Sequence, residues 1–417
     1  MVPPVPINDR LAALTAYPFA RLTALLDGTP PGAAPVAMSV GEPQHAAPPL
    51  LAESLAATAP LWHRYPPVAG SEDFRAATAG WLERRYGLPA GSVDRDTGPV
   101  PLSGTREGLF MAALLAVPPR KAGQVPAVCL PNPFYAAYEG AAVMAGAEPV
   151  FLETGAETGF LPDLDALSPA LLERIALFYL CSPTNPQGGI ADIAYLRRLI
   201  GMARRHGFVL AVDECYAEIY DREAPPGALQ AAAGMDGGAV DNLLVFHSLS
   251  KRSNAAGLRS GFVAGDPRLL AGFARLRGYA AAGMPLPIQA ASAALWRDDA
   301  HVAAIRDRYR GKIDLAEAAL ADTAGFRRPA GGFFLWLDLG PEGDGEATAL
   351  ALWREAGIRV LPGAYLTRPG DDGINRGRCF IRVALVHDEP VLALALPKLA
   401  AFLTTDTSAR AYAAVGV

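Results

Sequence analysis

The stretch Phe208–Tyr216 reads FVLAVDECY: five apolar residues run into Asp213, and Tyr216 follows three positions later. A nearly continuous apolar run of this length is typical of a β-strand that is covered on both faces. Helical patterns such as Thr105–Val117 and Ile193–His206 alternate with six similar runs, at residues 99–102, 125–130, 149–152, 175–181, 243–248 and 260–265. The alternation predicts a doubly wound α/β fold, a mostly parallel sheet between helices, whose ligands bind beyond the carboxyl ends of the strands.

The chain after Pro287 has a different pattern, in which long helices alternate with only two apolar strands. Helices are predicted over residues 289–322, 347–356 and 390–403, and strands over residues 332–337 and 380–384. We therefore expect a large domain at residues 50–288 and a smaller α+β domain at residues 289–404. An N-terminal arm at residues 1–49, with one helix over Asp9–Leu26, should join the smaller domain. Residues 405–417 are small and polar and are expected to form a loosely held tail.

Composition argues against several classes of protein. Hydrophobic residues make up 51% of the 417 residues and charged residues 19%, so the chain can bury a large core. No apolar run is long enough to cross a bilayer, and the N-terminus has no apolar signal segment, which predicts a cytoplasmic protein without membrane contact. A net charge of −5 without a basic stretch argues against a nucleic-acid partner. Neither the six histidines nor the four cysteines have the spacing of metal ligands. We expect the cysteines, at positions 129, 181, 215 and 379, to be free thiols.

The scarcity of lysine narrows the search for an amine nucleophile. Lysine occurs only at Lys121, Lys251, Lys312 and Lys398, and arginine cannot be deprotonated near neutral pH. Lys251 stands out because it follows an apolar strand in VFHSLSK, residues 245–251, among hydroxyl side chains and eight positions before Arg259. A lysine that bonds covalently to an aldehyde needs partial burial, and a nearby phosphate needs hydroxyl donors and an arginine. Taken alone, the pattern is equally typical of a surface lysine at a strand end.

Three further motifs also follow apolar strands, and each has an ordinary structural explanation. Asp213, with Tyr216 after it, could keep a pyridine nitrogen protonated, or it could simply cap a helix. Asn185, in SPTNPQG, could bind a phenolic oxygen or form a plain Asn-Pro turn. Ser103–Thr105, between a strand and a helix, could offer backbone N–H groups to a phosphate, as many helix starts do without a ligand.

Together and in this order the four motifs resemble the class I/II aminotransferases of pyridoxal 5′-phosphate fold type I, over about Ser39–Leu385. The resemblance implies that fold, with a large cofactor domain and a smaller one, and pyridoxal 5′-phosphate as the cofactor. It also implies three catalytic residues. Lys251 would hold the cofactor covalently and move protons, Asp213 would pair with the pyridinium nitrogen, and Tyr216 would hold the phenolic oxygen together with Asn185.

The same resemblance implies further binding residues. The phosphate would be held by Ser103, Gly104 and Thr105 at the start of the predicted helix, and by Ser248 and Arg259 on either side of Lys251. Tyr135 would stack on the cofactor ring, although Phe134 next to it fits the motif almost as well. Tyr65 matches a tyrosine that reaches the phosphate of the neighbouring subunit, which implies a homodimer with shared sites. Arg382 would bind the α-carboxylate of the amino-acid and keto-acid substrates, and the backbone of Gly41 would face that carboxylate.

A narrower resemblance suggests the substrates. Ser248–Asp266, Tyr17–Phe19, His301–Lys312 and Val360–Leu385 are similar to N-succinyldiaminopimelate aminotransferase. That family serves lysine and diaminopimelate biosynthesis, which implies glutamate as donor and N-succinyl-2-amino-6-oxopimelate as acceptor. Arg376 departs from the family, where proline is expected. The extra carboxylates of this acceptor require more cationic contacts, for which Arg21 and Arg252 are among the candidates.

Three alternatives remain open. The first is another aminotransferase on the same scaffold, of the aspartate, kynurenine or acetylornithine type. The second is a pyridoxal phosphate lyase that cleaves a C–S bond and would keep Lys251 and Asp213. The third is a regulator that binds the cofactor, although fewer than fifty residues precede the cofactor domain and they contain no basic helix. Turnover that depends on a keto acid would separate transfer from the other two.

Overall fold

A computed structural model describes residues 5, 7–237, 240–323, 325–370 and 372–414, with side chains up to residue 404. The strands are β1 (Val36–Ala37), β2 (Val100–Leu102), β3 (Ala127–Asn132), β4 (Glu148–Glu153), β5 (Ile175–Cys181), β6 (Val209–Asp213), β7 (Leu243–Ser248), β8 (Gly261–Gly265), β9 (Phe334–Asp338), β10 (Ile358–Arg359), β11 (Leu361–Pro362) and β12 (Phe380–Ala384). All seven strands predicted before Pro287 are present, each within two residues of the expected bounds.

Helices connect most of these strands. They are α1 (Pro18–Leu26), α2 (Pro49–Thr58), α3 (Glu72–Tyr86), α4 (Thr105–Ala116), α5 (Ala136–Ala145), α6 (Pro169–Arg174), α7 (Ile193–His206), α8 (Ala228–Ala233), α9 (Leu249–Arg252), α10 (Pro267–Ala280), α11 (Leu286–Arg297), α12 (Ala300–Leu320), α13 (Gly345–Ala356) and α14 (Glu389–Ala414). Within the described residues, none of them is both long enough and apolar enough to pass through a bilayer.

The large sheet brings six strand ends to one edge. Its order is β2-β8-β7-β6-β5-β3-β4, and β8 alone runs antiparallel to its neighbours. The carboxyl ends of the other six strands therefore face the same side, which is where a doubly wound sheet binds its ligands. The predicted fold class, a mostly parallel sheet between helices, is confirmed.

Burial on both faces explains why these strands are apolar throughout. Successive side chains of β5 point to opposite faces. Phe178 and Leu180 join one buried cluster, while Leu177 and Tyr179 join the cluster on the other face. All seven residues of β5 are buried. The sheet is therefore rigid at its centre, where β5, β6 and β7 end next to one another.

The remaining strands form two smaller sheets. Strands β11, β12 and β9 are antiparallel in that order, and β12 and β9 pair over their full length. The two-residue strand β1, from the N-terminal part of the chain, pairs in parallel with β10. This pairing supports our proposal that the N-terminal arm belongs to the smaller domain.

Three helix predictions were wrong at their bounds. The helix expected over Asp9–Leu26 is a short 3-10 turn followed by α1, because Pro18 cannot continue a preceding helix and instead starts a new one. The helix expected over residues 289–322 is divided into α11 and α12 at Asp298, whose carboxylate accepts a hydrogen bond from the N–H of Ala300 at 3.1 Å. Helix α14 continues ten residues beyond the predicted tail boundary at residue 404; the tail's last residues, 415–417, lie outside the described part.

Candidate active site

A cavity of about 550 Å³ lies at the edge where the parallel strands end. Its walls come from the large sheet, from the N-terminal arm and from strands of the smaller domain. Ten of the thirteen predicted site residues line it: Gly41, Thr105, Tyr135, Asn185, Asp213, Tyr216, Ser248, Lys251, Arg259 and Arg382. Ser103, Gly104 and Tyr65 are not among the lining residues.

The Lys251 amine points into this cavity from the short helix α9. Its Nζ donates a hydrogen bond to the carbonyl of Gly41 and lies 5.5 Å from the centre of the Phe333 ring. Burial lowers the pKa of the Lys251 amine to about 8, since a charged ammonium is poorly solvated there. A substantial fraction of the amine is therefore neutral near physiological pH, which a nucleophile and proton acceptor requires.

This lowered pKa predicts how the amine should react. In the cofactor-free protein, the rate of reductive methylation at Lys251 should rise with pH and level off above about pH 8, because only the neutral amine reacts. Peptide mapping by mass spectrometry would follow each lysine separately. Burial also lowers the pKa of Lys312 to about 8, but this side chain has no exposed surface and should stay unlabelled. A Lys251 rate that still climbs steeply well above that pH would contradict the assignment.

Asp213 ends β6 and is held in a fixed orientation. Its carboxylate accepts hydrogen bonds from the Tyr138 hydroxyl at 2.8 Å and from the Cys215 N–H at 3.2 Å. Burial raises the pKa of Asp213, so its negative charge is disfavoured until a cation faces it. Tyr138, which stacks on Tyr179 with ring centres 4.5 Å apart, was missed in the sequence.

Arg382, on β12, faces the same cavity from the smaller domain. Its guanidinium donates to the Asn185 side-chain oxygen at 3.2 Å and to the Ser39 carbonyl at 2.7 Å, and it lies over the Phe334 ring at 4.4 Å. The Nε atom is buried and has no hydrogen-bond partner within the described residues. Burial lowers the pKa of Arg382 to about 10, which leaves it charged near neutral pH. A buried, incompletely paired guanidinium fits the binding of an anion.

Tyr216 is the second residue, beside Asn185, that is predicted to hold the phenolic oxygen of the cofactor. It is buried, and its ring packs edge-on against Phe333 and Phe334. Burial raises the pKa of the Tyr216 hydroxyl, so this group stays a hydrogen-bond donor. Asn185 and Tyr216 line the same cavity as Asp213, in agreement with the order of the sequence motifs.

The expected phosphate site is formed by the start of α4 and by Arg259. Gly104 has a φ of 84°, and a Cβ atom there would come within 2.1 Å of the Arg259 guanidinium, so only glycine fits. Arg259 donates to the carbonyls of Ser103 and Ala256 at 3.2 and 2.9 Å. The Ser103 carbonyl therefore supports Arg259, and the binding of the phosphate by Ser103 and Gly104 stays a prediction. Thr105 and Ser248 do line the cavity.

The two adjacent aromatic residues Phe134 and Tyr135 both reach the cavity. Phe134 is almost fully buried and packs against Phe151 with ring centres 5.1 Å apart. Tyr135 is less buried, and its hydroxyl accepts a hydrogen bond from Nε of Arg106 at 2.5 Å. Tyr135 is therefore the better candidate for stacking on a ligand. Tyr65 is fully exposed and is not brought together with the other site residues in this chain.

The two arginines expected near the distal end of the substrate do not line the cavity. Arg252, one of the two candidates, is buried and donates to the Leu295 carbonyl and the Asp299 carboxylate at 2.7 and 2.8 Å, which points its guanidinium away from the cavity. Arg21 lies over the Tyr365 ring at 3.8 Å, outside the lining residues. Arg376, where the family has proline, forms a surface ion pair of 2.7 Å with Asp372. The sequence interpretation overlooked Arg106, which does line the cavity.

The cavity was tested for its fit to pyridoxal 5′-phosphate. It offers a partly neutral amine for the aldehyde at Lys251 and a buried carboxylate for the ring nitrogen at Asp213. A helix start and Arg259 stand where a phosphate can bind, and Gly104 leaves room for that arginine. The residues present therefore fit this cofactor.

Comparisons with known proteins agree with this geometry. The family model described as aminotransferase class I and II matches residues 34–396. The 4-dedimethylamino-4-oxo-anhydrotetracycline transaminase OxyQ of Streptomyces rimosus is 35% identical over 87% of this chain and 92% of its own length. An LL-diaminopimelate aminotransferase of Nitratidesulfovibrio vulgaris is 31% identical over 94% of this chain and 98% of its own length.

A solved structure extends the comparison. The probable N-succinyldiaminopimelate aminotransferase of Thermus thermophilus is 25% identical, with a TM-score of 0.79 over 92% of this chain and 99% of its own. The match of the family model covers well over half of the sequence. The chain therefore belongs to the class I and II aminotransferases, enzymes that depend on pyridoxal 5′-phosphate.

Proposed function

We propose that this aminotransferase transfers an amino group between glutamate and N-succinyl-2-amino-6-oxopimelate, in the synthesis of diaminopimelate and lysine. The observation that carries the proposal is the number of cationic groups in the cavity. Three arginines line it, Arg106, Arg259 and Arg382, and within the described residues none of them lies within ion-pair distance of a carboxylate. The cofactor phosphate and one α-carboxylate account for two. A third cation favours substrates with a further anionic group.

The roles of the residues follow from their positions. Bound pyridoxal 5′-phosphate supplies an electron sink for the bond that is broken at the substrate α-carbon. Lys251 would remove the α-proton of the substrate and return it to the former aldehyde carbon of the cofactor, because its amine is partly neutral and lies inside the cavity. Arg382 orients the α-carboxylate, while the Asn185 amide and the Tyr216 hydroxyl would hold the phenolic oxygen of the cofactor. Asp213 supplies a carboxylate at the carboxyl end of β6.

A second candidate is direct amino transfer with LL-diaminopimelate. Relatives named LL-diaminopimelate aminotransferase are 29–32% identical to this chain over most of its length. Both candidates act on the same carbon skeleton, but the succinylated substrate carries an additional carboxylate in place of a free ammonium group. The three arginines that line the cavity favour the additional carboxylate of the succinylated form.

An amino-donor panel tests the proposal. Holoenzyme with 2-oxoglutarate would be offered N-succinyl-LL-diaminopimelate, LL-diaminopimelate, aspartate, kynurenine and N-acetylornithine, and glutamate formation would be measured. We expect kcat/KM for the succinylated compound to exceed each of the others by about tenfold or more, as one additional charged contact allows. A preference for LL-diaminopimelate would support the second candidate. Release of pyruvate and ammonia from a sulfur amino acid without any keto acid would show a C–S lyase instead.

Arg382 provides a prediction that holds for every substrate of the enzyme. Replacing it by alanine should raise the KM of donor and acceptor together, by about tenfold or more, because both present an α-carboxylate to the same guanidinium. Steady-state kinetics with each substrate varied in turn would measure this. Lysine at the same position should recover part of the loss. An increase for one substrate only would contradict the assigned role.

We further propose that the enzyme acts as a homodimer in which Tyr65 reaches the cofactor phosphate of the neighbouring subunit. The support is the position of Tyr65, which follows a short 3-10 turn at Ala59–His63 and is fully exposed in the single chain. Trp62 and Tyr279 are also more than half exposed. Large exposed aromatic side chains of this kind are enriched at subunit interfaces.

A further inference from the structure

The segment Leu366–Arg368, which follows β11 in the smaller domain, is bonded to the end of β3 in the large sheet. The Leu366 carbonyl accepts a hydrogen bond from the Phe134 N–H at 2.9 Å. The buried Asn132 side chain binds the backbone of Arg368 twice: its amide donates to the carbonyl at 2.9 Å, and its oxygen accepts from the N–H at 3.1 Å. Asn132 and Arg368 are 236 positions apart in the sequence, so these bonds join two distant segments beside the cavity.

The side chain of Arg368 adds an ion pair to this attachment. Its guanidinium donates two hydrogen bonds to the Glu139 carboxylate, at 2.9 and 2.7 Å, and lies 4.8 Å from the centre of the Phe134 ring. The Arg368 side chain is 16% exposed and that of Glu139 10%, so solvent screens the pair only weakly. Two parallel bonds of this kind fix the orientation of both groups as well as their distance.

Tyr135 lies between the residues that Arg368 and Leu366 hold. Phe134 precedes it, and Glu139 comes one helical turn after it on α5, whose N-cap is Tyr135. The Tyr135 ring itself lines the cavity and packs edge-on against Tyr138 with ring centres 5.5 Å apart. One segment of the smaller domain therefore fixes the backbone on both sides of the aromatic residue that is predicted to stack on the cofactor.

An arginine–glutamate pair elsewhere in the sheet shows what a pair without this placement does. Arg174 ends α6 and pairs at 2.5 Å with Glu148, which begins β4. Because β4 is parallel to β3, this pair lies at the amino ends of the strands, on the edge of the sheet opposite to the cavity. It joins a helix to a strand, and neither of its residues lines the cavity.

We propose that Arg368 is a positioning residue for the reaction, and that it acts through Tyr135. Its pair with Glu139 and its contact with Phe134 hold the Tyr135 ring where it stacks on pyridoxal 5′-phosphate. Stacking depends on the spacing and the offset of the two rings, so a small displacement of Tyr135 weakens the binding of the cofactor. This inference rests on the predicted stacking role of Tyr135 and is independent of the identity of the substrates.

Cofactor binding tests the proposal without turnover. Apoenzyme would be titrated with pyridoxal 5′-phosphate, with the bound fraction followed by protein fluorescence and the asymmetry around the bound cofactor by visible circular dichroism. Arg368→Gln should raise the Kd of the cofactor by about tenfold and reduce the dichroic signal, because a lost charge-assisted contact leaves Tyr135 less well fixed. Arg368→Lys, which keeps the charge but not the two parallel bonds, should give a smaller change. Arg174→Gln is the matched control and should alter neither quantity.

A double-mutant cycle separates this role from a purely structural one. In a Tyr135→Ala background, Arg368→Gln should weaken cofactor binding no further, since the ring that it positions is absent. An equal loss in both backgrounds would overturn the proposal, and so would an Arg368→Gln protein with unchanged affinity and dichroism. Thermal unfolding of each apoenzyme shows which variants are folded, and Arg368→Lys takes the place of Arg368→Gln in the same cycle if the latter does not fold. No amino-acid substrate takes part, so a failure of the donor panel and a failure of this cycle are separate results.

Discussion

Replacing Lys251 by alanine is expected to reduce turnover by more than about 10³-fold, since general acid–base catalysis alone contributes roughly 10²- to 10⁴-fold. The reason is that Lys251, on α9 just after β7, provides the one lysine amine among the described residues that line the cavity, and burial lowers its pKa to about 8. The variant should also lose the visible absorbance of covalently attached cofactor. Both effects would be measured on the reconstituted protein by absorbance and by glutamate-dependent assays.

Two controls separate this role from a loss of folding. Lys398 is exposed on α14, and its replacement by alanine should leave turnover unchanged. Reduction of the unaltered holoenzyme with borohydride, followed by peptide mapping, should find the cofactor on Lys251. Trapped cofactor on Lys121, Lys312 or Lys398 would contradict the assignment. So would a Lys251→Ala protein that keeps its absorbance and activity.

Sequence patterns were sufficient for the large domain because the chemistry and the fold use the same residues there. Each strand of a parallel sheet that is buried on both faces is apolar throughout, and the first polar residue after it marks the carboxyl edge. Asp213 ends β6, and Asn185 and Lys251 follow β5 and β7, which are its neighbours in the sheet. The order of motifs in the chain thus predicts their proximity in space.

The direction of a side chain was harder to predict from the sequence. Lys251 and Arg252 are consecutive residues on α9, yet Lys251 lines the cavity while Arg252 is buried. Arg252 lies 4.8 Å from the centre of the Trp296 ring and donates to the Leu295 carbonyl, both on α11. The local sequence around residue 252 does not indicate that its side chain contacts α11, which begins more than thirty positions later. Its burial is a consequence of tertiary packing.

Two residues of the site were missed for a related reason. Tyr135 is the N-cap of α5 and Tyr138 lies in its first turn, so the two rings are neighbours, but the Tyr138 hydroxyl donates to Asp213 whereas the Tyr135 hydroxyl accepts from Arg106. The motif around Phe134 and Tyr135 indicates two neighbouring aromatic residues that could stack on the cofactor, but it does not indicate which residue contacts the Asp213 carboxylate. Arg106 was overlooked because it lies in the helix start that was assigned to the phosphate. An unpaired arginine at the first turn of a helix is the signal that would have found it, since a cation there is unfavourable without an anion.

Asp213→Asn is expected to reduce kcat by about 10²- to 10⁴-fold, which corresponds to the roughly 3–5 kcal/mol that breaking a buried ion pair costs. We propose that the carboxylate faces the ring nitrogen of the cofactor and keeps it protonated. Asparagine is nearly the same size, and its one side-chain oxygen can still accept the hydrogen bond from the Cys215 N–H, while its NH2 group can donate to the Tyr138 oxygen, so the change removes charge more than shape. Asp213→Glu should retain more activity than the asparagine variant. Pre-steady-state kinetics would show whether the α-proton step is the one that slows.

Stability of the cofactor-free protein distinguishes this role from a structural one. Burial raises the pKa of Asp213 above its ordinary value, so its stabilising contribution is present at low pH and is lost as pH rises through the raised pKa. Near neutral pH the charged carboxylate destabilises the apoenzyme, because it is buried and none of the described residues forms an ion pair with it. Asp213→Asn should therefore unfold at a temperature no lower than the unaltered apoenzyme, and the stabilising effect of added pyridoxal 5′-phosphate should shrink. A variant apoenzyme that is clearly less stable at neutral pH, with an unchanged gain on cofactor binding, would show that the carboxylate serves the fold.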